Sequence, residues 1–206
     1  MKGILSLLKM KTRGDKPRDE HTDSVLFSTA FAGQGVDDSM LVPWEARAVE
    51  VGAKRLPASR GGKLLQGLWA KDKYMAHLDK DAVERMERFF EFAAVPSNRD
   101  VIRQDEYGNF MVVLLTGTIA VDRVQPWGEQ LRLAETRPGD ILGEMSLLDS
   151  GIRFSACTTL TDCEIAVLSA EAMDDMMGKD PQLAASLIAL LARKLSLRLR
   201  VVSARL

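Results

Sequence analysis

The sequence predicts a mainly β fold with flanking helices, and three observations carry that prediction. Between residues 100 and 169, short β-rich runs follow one another, separated by turn residues. One stretch of helical period precedes them and two follow. The runs do not alternate with helical segments, so six or more strands at close spacing point to a β-sandwich or jelly-roll barrel rather than a parallel sheet.

Composition bounds the rest. A chain of 206 residues, 46% hydrophobic and 28% charged, can bury one core with chain to spare, so one compact domain plus an appendage is expected. The 28 Lys and Arg nearly cancel the 29 Asp and Glu. No global field therefore draws the chain to nucleic acid or an anionic membrane. No apolar run reaches the roughly 18 residues of a spanning helix. The opening MKGILSLLKMKTR places a lysine before an apolar run, Ile4 to Leu8, but Lys9 and Lys11 cut it off and no small-residue cleavage site follows. A cytoplasmic location is expected. Cys157 and Cys163 both fall in strand-like runs and read as buried free thiols.

Taken in chain order, residues 1–65 are an N-terminal extension, partly flexible. KTRGDKPRDEHTDS is too polar to bury a core and reads as a linker. The run from Val25 to Lys63 mixes apolar patches with Gly and Pro, keeps no period, and reads as loop or loosely docked extension, with room for short strands or a turn of helix that the sequence does not locate. Residues 66–206 carry the folded domain. In DKDAVERMERFFEFA, apolar Val83, Met86, Phe89 and Phe90 recur at helical spacing after the acidic start at Asp79, and Pro96 ends the helix. The barrel, about residues 95–169, is built from DVIRQ, FMVVLLTGTIAVDRV, EQLRLAETR, DILGE, FSACTTL and CEIAVLS. Gly108-Asn109, Thr116-Gly117, Pro126-Trp127-Gly128 and Pro138-Gly139 supply turns.

Helices return at about residues 170–206. Ser169 caps SAEAMDDMMGKD, which Gly178 closes. Pro181 then opens a long helix. From Gln182 to Leu206 there is no acid, while Arg193, Lys194, Arg198, Arg200 and Arg205 crowd the second half. Its stripe of Leu187, Leu191, Leu195 and Leu199, widened by Ile188, Leu190 and Val202, is broad enough to bury on two sides.

The stretch GEMSLLDSGIRFSA, residues 143–156, resembles the phosphate-binding cassette of the cyclic nucleotide-binding domain family. VIRQDEYGNFMVVLLTGTIAV and RPGDILGE resemble the strands and lead-in upstream of it, and the likeness runs from about Tyr74 to Leu199. It implies a jelly-roll β-barrel with an N-terminal helix and a long C-terminal helix, like the effector domain of bacterial catabolite activators without their helix-turn-helix. It also implies that Arg153, with Phe154, Ser155, Met145 and Ser146, binds a cyclic phosphate, and that Gly143 and Glu144 bind the ribose. The chemistry fits: a guanidinium forks two donors at a phosphate, whereas a carboxylate accepts from a sugar hydroxyl and repels a phosphate. Two positions depart from the pattern. Ile152 replaces a common proline, and Phe154 stands where a small residue usually follows the arginine. The ring either fills the pocket or turns outward and frees the backbone amide.

A cyclic nucleotide sensor is therefore expected, taking cAMP, cGMP or a cyclic dinucleotide such as cyclic di-GMP, whose second base an exposed ring stacks. The C-terminal helix would couple it to a homodimer or a protein partner. The alternative is a degenerate domain that has lost its ligand and serves as a dimerisation or docking scaffold, with residues 1–65 as a specific contact. With no recognition helix in the sequence, sequence-specific DNA binding is not expected. Nor is enzyme activity, since a metal-dependent jelly roll needs clustered His and acids, and His21 and His77 are the only histidines, both outside the barrel. No metal or cofactor is expected.

Overall fold

A computed structural model describes residues 25–75 and 78–204. The run from Ile4 to Leu8, the linker 11–24, His21, His77 and Arg205 lie outside the described residues. The described elements are α1 (Phe27–Gly33), α2 (Trp44–Val51), β1 (Lys54–Arg55), α3 (Ala58–Trp69), α4 (Lys80–Glu87), β2 (Glu91–Val95), β3 (Asp100–Ile102), β4 (Phe110–Thr116), β5 (Ile119–Val124), β6 (Gln130–Glu135), β7 (Ile141–Leu142), α5 (Glu144–Asp149), β8 (Ala156–Thr159), β9 (Cys163–Ser169), α6 (Ala170–Lys179) and α7 (Pro181–Ser203), with a short 3-10 turn at Asp38–Met40.

Two antiparallel sheets face each other, one ordered β1-β2-β9-β4-β7 and the other β3-β8-β5-β6. This is the expected jelly roll with flanking helices. Strand β4 explains how the layers meet. Its apolar run is buried on both faces: Phe110, Val112 and Leu114 turn into the barrel, while Met111, Val113 and Leu115 turn to the helices. The helical layer closes over that second face with Leu65, Trp69, Met86, Met173, Leu187 and Leu190.

Two readings of local structure are corrected. The helix that begins at the Asp79 cap, whose carboxylate accepts from the Ala82 amide, ends near Glu87 rather than at Pro96. Residues 91–95 instead pair with β9 from Glu91–Val167 to Val95–Cys163. A short apolar run suits helix and strand alike, and here the waiting edge of β9 decides. The segment 25–63, read as loop or loosely docked extension, forms α1, α2, β1 and the first half of α3, and buries Phe27, Phe31, Trp44 and Val51. The Gly61-Gly62 pair that looks like a helix breaker lies inside α3, and a Cβ at Gly61 would run into the Phe92 ring. That glycine allows close packing of helix on sheet.

At the other end the expected caps are present. Ser169 accepts from the Ala172 amide, and Asp180 accepts from the Leu183 amide ahead of Pro181. Helix α6 passes through Gly178 and stops at Lys179. The apolar stripe of α7 divides: Leu187, Leu190 and Leu191 are buried in the core, whereas Leu199 and Val202 are 66% and 58% exposed. None of the described helices is long and apolar enough to cross a membrane.

Candidate ligand site at the cassette

Strand β7 delivers the chain to Gly143, which caps α5 with a left-handed backbone at φ 74°. Only glycine adopts that conformation without strain, and a Cβ here would lie 2.6 Å from Arg153 Nη1. The cassette then runs through α5 and returns by the loop 150–155 into β8.

Arg153 is 3% exposed. Its Nη1 donates to the Gly143 carbonyl and its Nη2 to the Phe110 carbonyl, both at 2.7 Å, and the guanidinium stacks 4.7 Å from the Phe110 ring centre. Its backbone is tied as well, since its amide donates to the Glu106 carbonyl and its carbonyl accepts from the Asp105 amide. Burial lowers the guanidinium to about 10, which leaves it charged at neutral pH. The cassette arginine is thus turned into the protein, with two of its donors committed to backbone carbonyls.

Glu144 is likewise 3% exposed, but its partner comes from the far end of the chain. Arg198 of α7 forms an ion pair with it and donates through its other terminal nitrogen to the Ile141 carbonyl at 2.7 Å. Burial raises the Glu144 carboxyl above its ordinary value, against the pull of Arg198. Glu144 and Arg153 do not pair with each other. Each is buried on partners of its own.

Phe154 is turned outward and half exposed, with the Arg123 guanidinium 4.0 Å from its ring centre and donating to its carbonyl. Ser155 is half-buried, Ser146 is buried, and Met145 is 44% exposed at the start of α5. Cavities of about 480 and 490 Å³ lie between α3 and α4, lined by Lys63, Gln66 and Val83, and between α2 and β2, lined by Trp44, Phe90 and Phe92; the cassette lines neither. The thiols are also as expected: Cys157 and Cys163 are free and buried, and burial pushes Cys157 up to about 12. Among the described residues no cluster of three His, Cys, Asp or Glu side chains could hold a metal.

Sequence reasoning missed Arg198 as the partner of Glu144, and Phe110 and Arg123 as neighbours of the cassette. An acid-free helix crowded with arginines signals that acids elsewhere must answer it, but not which ones.

The family profile described as the cyclic nucleotide-binding domain matches residues 93–180, which hold the barrel and the whole cassette. The chain contains a cyclic nucleotide-binding domain. In sequence, this domain is similar to the cyclic AMP receptor protein of Thermus thermophilus, 31% identical over 107 residues, which are 52% of this chain and 50% of that protein. It is also similar to a CRP-like cAMP-activated global transcriptional regulator of Mycobacterium tuberculosis, 28% identical over 48% of this chain and 45% of that one. The chain spans about half the length of these curated relatives. In structure, the cyclic nucleotide-binding domain resembles a domain of that description from Methylobacillus flagellatus, with a TM-score of 0.69 at 22% identity over 75% of this chain and 87% of that one. It also resembles the Thermus thermophilus catabolite activator protein, with a TM-score of 0.56 at 28% identity over 64% of this chain and 63% of that one.

Proposed function

We propose that the chain is a cyclic nucleotide sensor that couples ligand occupancy to the position of its C-terminal helix. One observation carries the reading: Glu144, the residue assigned to the ribose, is held by Arg198 of α7. A sugar hydroxyl that takes over Glu144 competes with Arg198, so ligand binding and helix position are linked through one carboxylate. Arg153 turns its fork to the cyclic phosphate, with the backbone amides of Met145, Ser146, Phe154 and Ser155 as further donors. The exposed end of α7 carries Leu197, Leu199, Val201 and Val202, an apolar strip that suits a second copy of the chain. Cyclic AMP is the first ligand to test, since the relatives named above are described by it. A cyclic dinucleotide is the next, because the Phe154 ring is half exposed rather than folded into the barrel.

Thermal unfolding tests the reading. A ligand that binds only the folded chain raises Tm by mass action, so millimolar cAMP, cGMP or cyclic di-GMP is expected to raise it in the wild type and not in Arg153→Ala. No shift with any of the three would overturn the reading.

A second reading, a domain that keeps the fold as a docking scaffold without a ligand, draws on the inward Arg153. It requires that no nucleotide binds the wild type. Binding that appears only in Phe154→Ala would identify the ring as the obstruction.

A further inference from the structure

We propose that α2, which lies outside the matched domain, holds the Arg153 guanidinium in its inward position and so sets how tightly the cassette takes a cyclic phosphate. The second half of the proposal rests on the sensor reading, whereas the first half does not.

The loop between β3 and β4 is gripped from both sides. From the cassette side, Arg153 donates to the carbonyls of Glu106 and Phe110 and stacks on the Phe110 ring. From the other side, Trp44 meets that same Phe110 ring edge-on, with centres 5.6 Å apart and planes at 63°. Arg47, 1% exposed, forms ion pairs with Glu106 and with Glu50 of its own helix, and Glu50 in turn pairs with Arg103. Just before α2, the Val42 amide donates to the Tyr107 carbonyl at 2.9 Å. Glu106 and Phe110, which both accept from Arg153, are therefore also the residues that Arg47 and Trp44 of α2 hold.

Packing alone does not account for Arg47. Its Nε is buried without a hydrogen-bond partner, and an apolar side chain of similar volume would fill the position without that cost. What Arg47 adds is a fixed grip on Glu106, whose carboxylate pairs with Arg47 and whose backbone carbonyl accepts from the Arg153 amide. Glu106 attracts Arg153 while Arg47 repels it, so moving the loop alters the balance around Arg153 directly.

A phosphate cannot reach a guanidinium that is 3% exposed. Arg153 must let go of the Phe110 carbonyl, or the loop must move away from it, and α2 opposes both. The inward arrangement reduces apparent affinity by the fraction of molecules in the open one. Trp44 and Arg47 are thus positioning residues acting through Phe110 and Glu106, and loosening them tightens ligand binding.

The test uses the full chain and has two arms. In the first, without ligand, Arg153 is labelled with phenylglyoxal and the rate is read at its own peptide by mass spectrometry. Trp44→Leu and Arg47→Met are compared with Leu187→Ala, a substitution in the distant helical core chosen to lower Tm by a similar amount. Labelling of Arg153 about threefold or more faster in the two α2 variants than in Leu187→Ala is expected, and equal rates would overturn the proposal. Should Trp44→Leu fail to fold, Arg47→Met, close to isosteric, carries the comparison. In the second arm, cAMP is titrated calorimetrically. Affinity about threefold or more tighter in the α2 variants is expected, with the exposed Val49→Ala unchanged, and equal or weaker affinity would overturn the second half. If no chain binds cAMP while the labelling difference stands, the sensor reading falls and the hold of α2 on Arg153 remains.

Discussion

Glu144 gives the residue scale a pH signature. Its carboxyl is raised by burial in the folded chain, so the folded state holds its proton more tightly than the unfolded state does. The stability this contributes is fully present below the ordinary glutamate value of 4.5 and is lost as the pH rises through the raised value. Glu144→Gln removes that titration. The Tm of the wild type should therefore fall relative to Glu144→Gln as the pH is raised above 4.5, followed by calorimetry at stepped pH, and parallel curves would contradict the assignment. Arg153 makes a stability prediction. Removing its side chain takes a donor from each of the Gly143 and Phe110 carbonyls and opens a cavity, so Arg153→Ala should cost about 2–4 kcal/mol in urea unfolding. A cost within about 0.5 kcal/mol would mean that the arginine is free rather than built in. The cassette pattern made Gly143, Glu144 and Arg153 legible in the sequence. Their partners were not legible, because Phe110 and Arg198 lie 43 and 54 residues away along the chain.

Asp174 shows the same limit for whole elements. Its buried carboxylate accepts from the amides of Leu26, Phe27 and Ser28 and from the Ser28 hydroxyl, so a residue of α6 caps and docks α1. Nothing in the local sequence of α1 announces this, since its capping group comes from 146 residues or more downstream. Helices of seven and eight residues such as α1 and α2 are not stable by propensity alone and form because tertiary contacts complete them. Strands β3 to β9 were legible because their patterning and turns are local, and α6 and α7 because their caps are. Asp174→Ala is expected to undock α1, with a stability loss of about 2–3 kcal/mol and faster proteolysis between residues 25 and 36. Unchanged cleavage there would refute the docking role. At the opposite end, Arg198→Ala leaves Glu144 buried without its ion pair. Because Arg198 is itself half exposed, a loss of about 1–3 kcal/mol is expected rather than the 3–5 kcal/mol of a fully buried pair, again by urea unfolding.

Across the whole molecule, α7 is the element that reaches everything else. Its first half closes the helical core, Lys194 pairs with Asp72 at 3.2 Å, Arg198 holds the cassette, and its last turns carry the exposed apolar strip. If that strip is a seam between two copies, Leu199→Glu with Val202→Glu should convert a dimer to a monomer in analytical ultracentrifugation; an identical sedimentation profile would contradict the seam. The same geometry gives the central claim its most direct test, hydrogen–deuterium exchange of the full chain with and without saturating cAMP. On the sensor reading the ribose takes Glu144 from Arg198, so residues 195–203 should exchange faster when cAMP is bound to the wild type and remain unchanged in Arg153→Lys. Exchange in α7 that stays the same while cAMP is bound would contradict the coupling of ligand to helix.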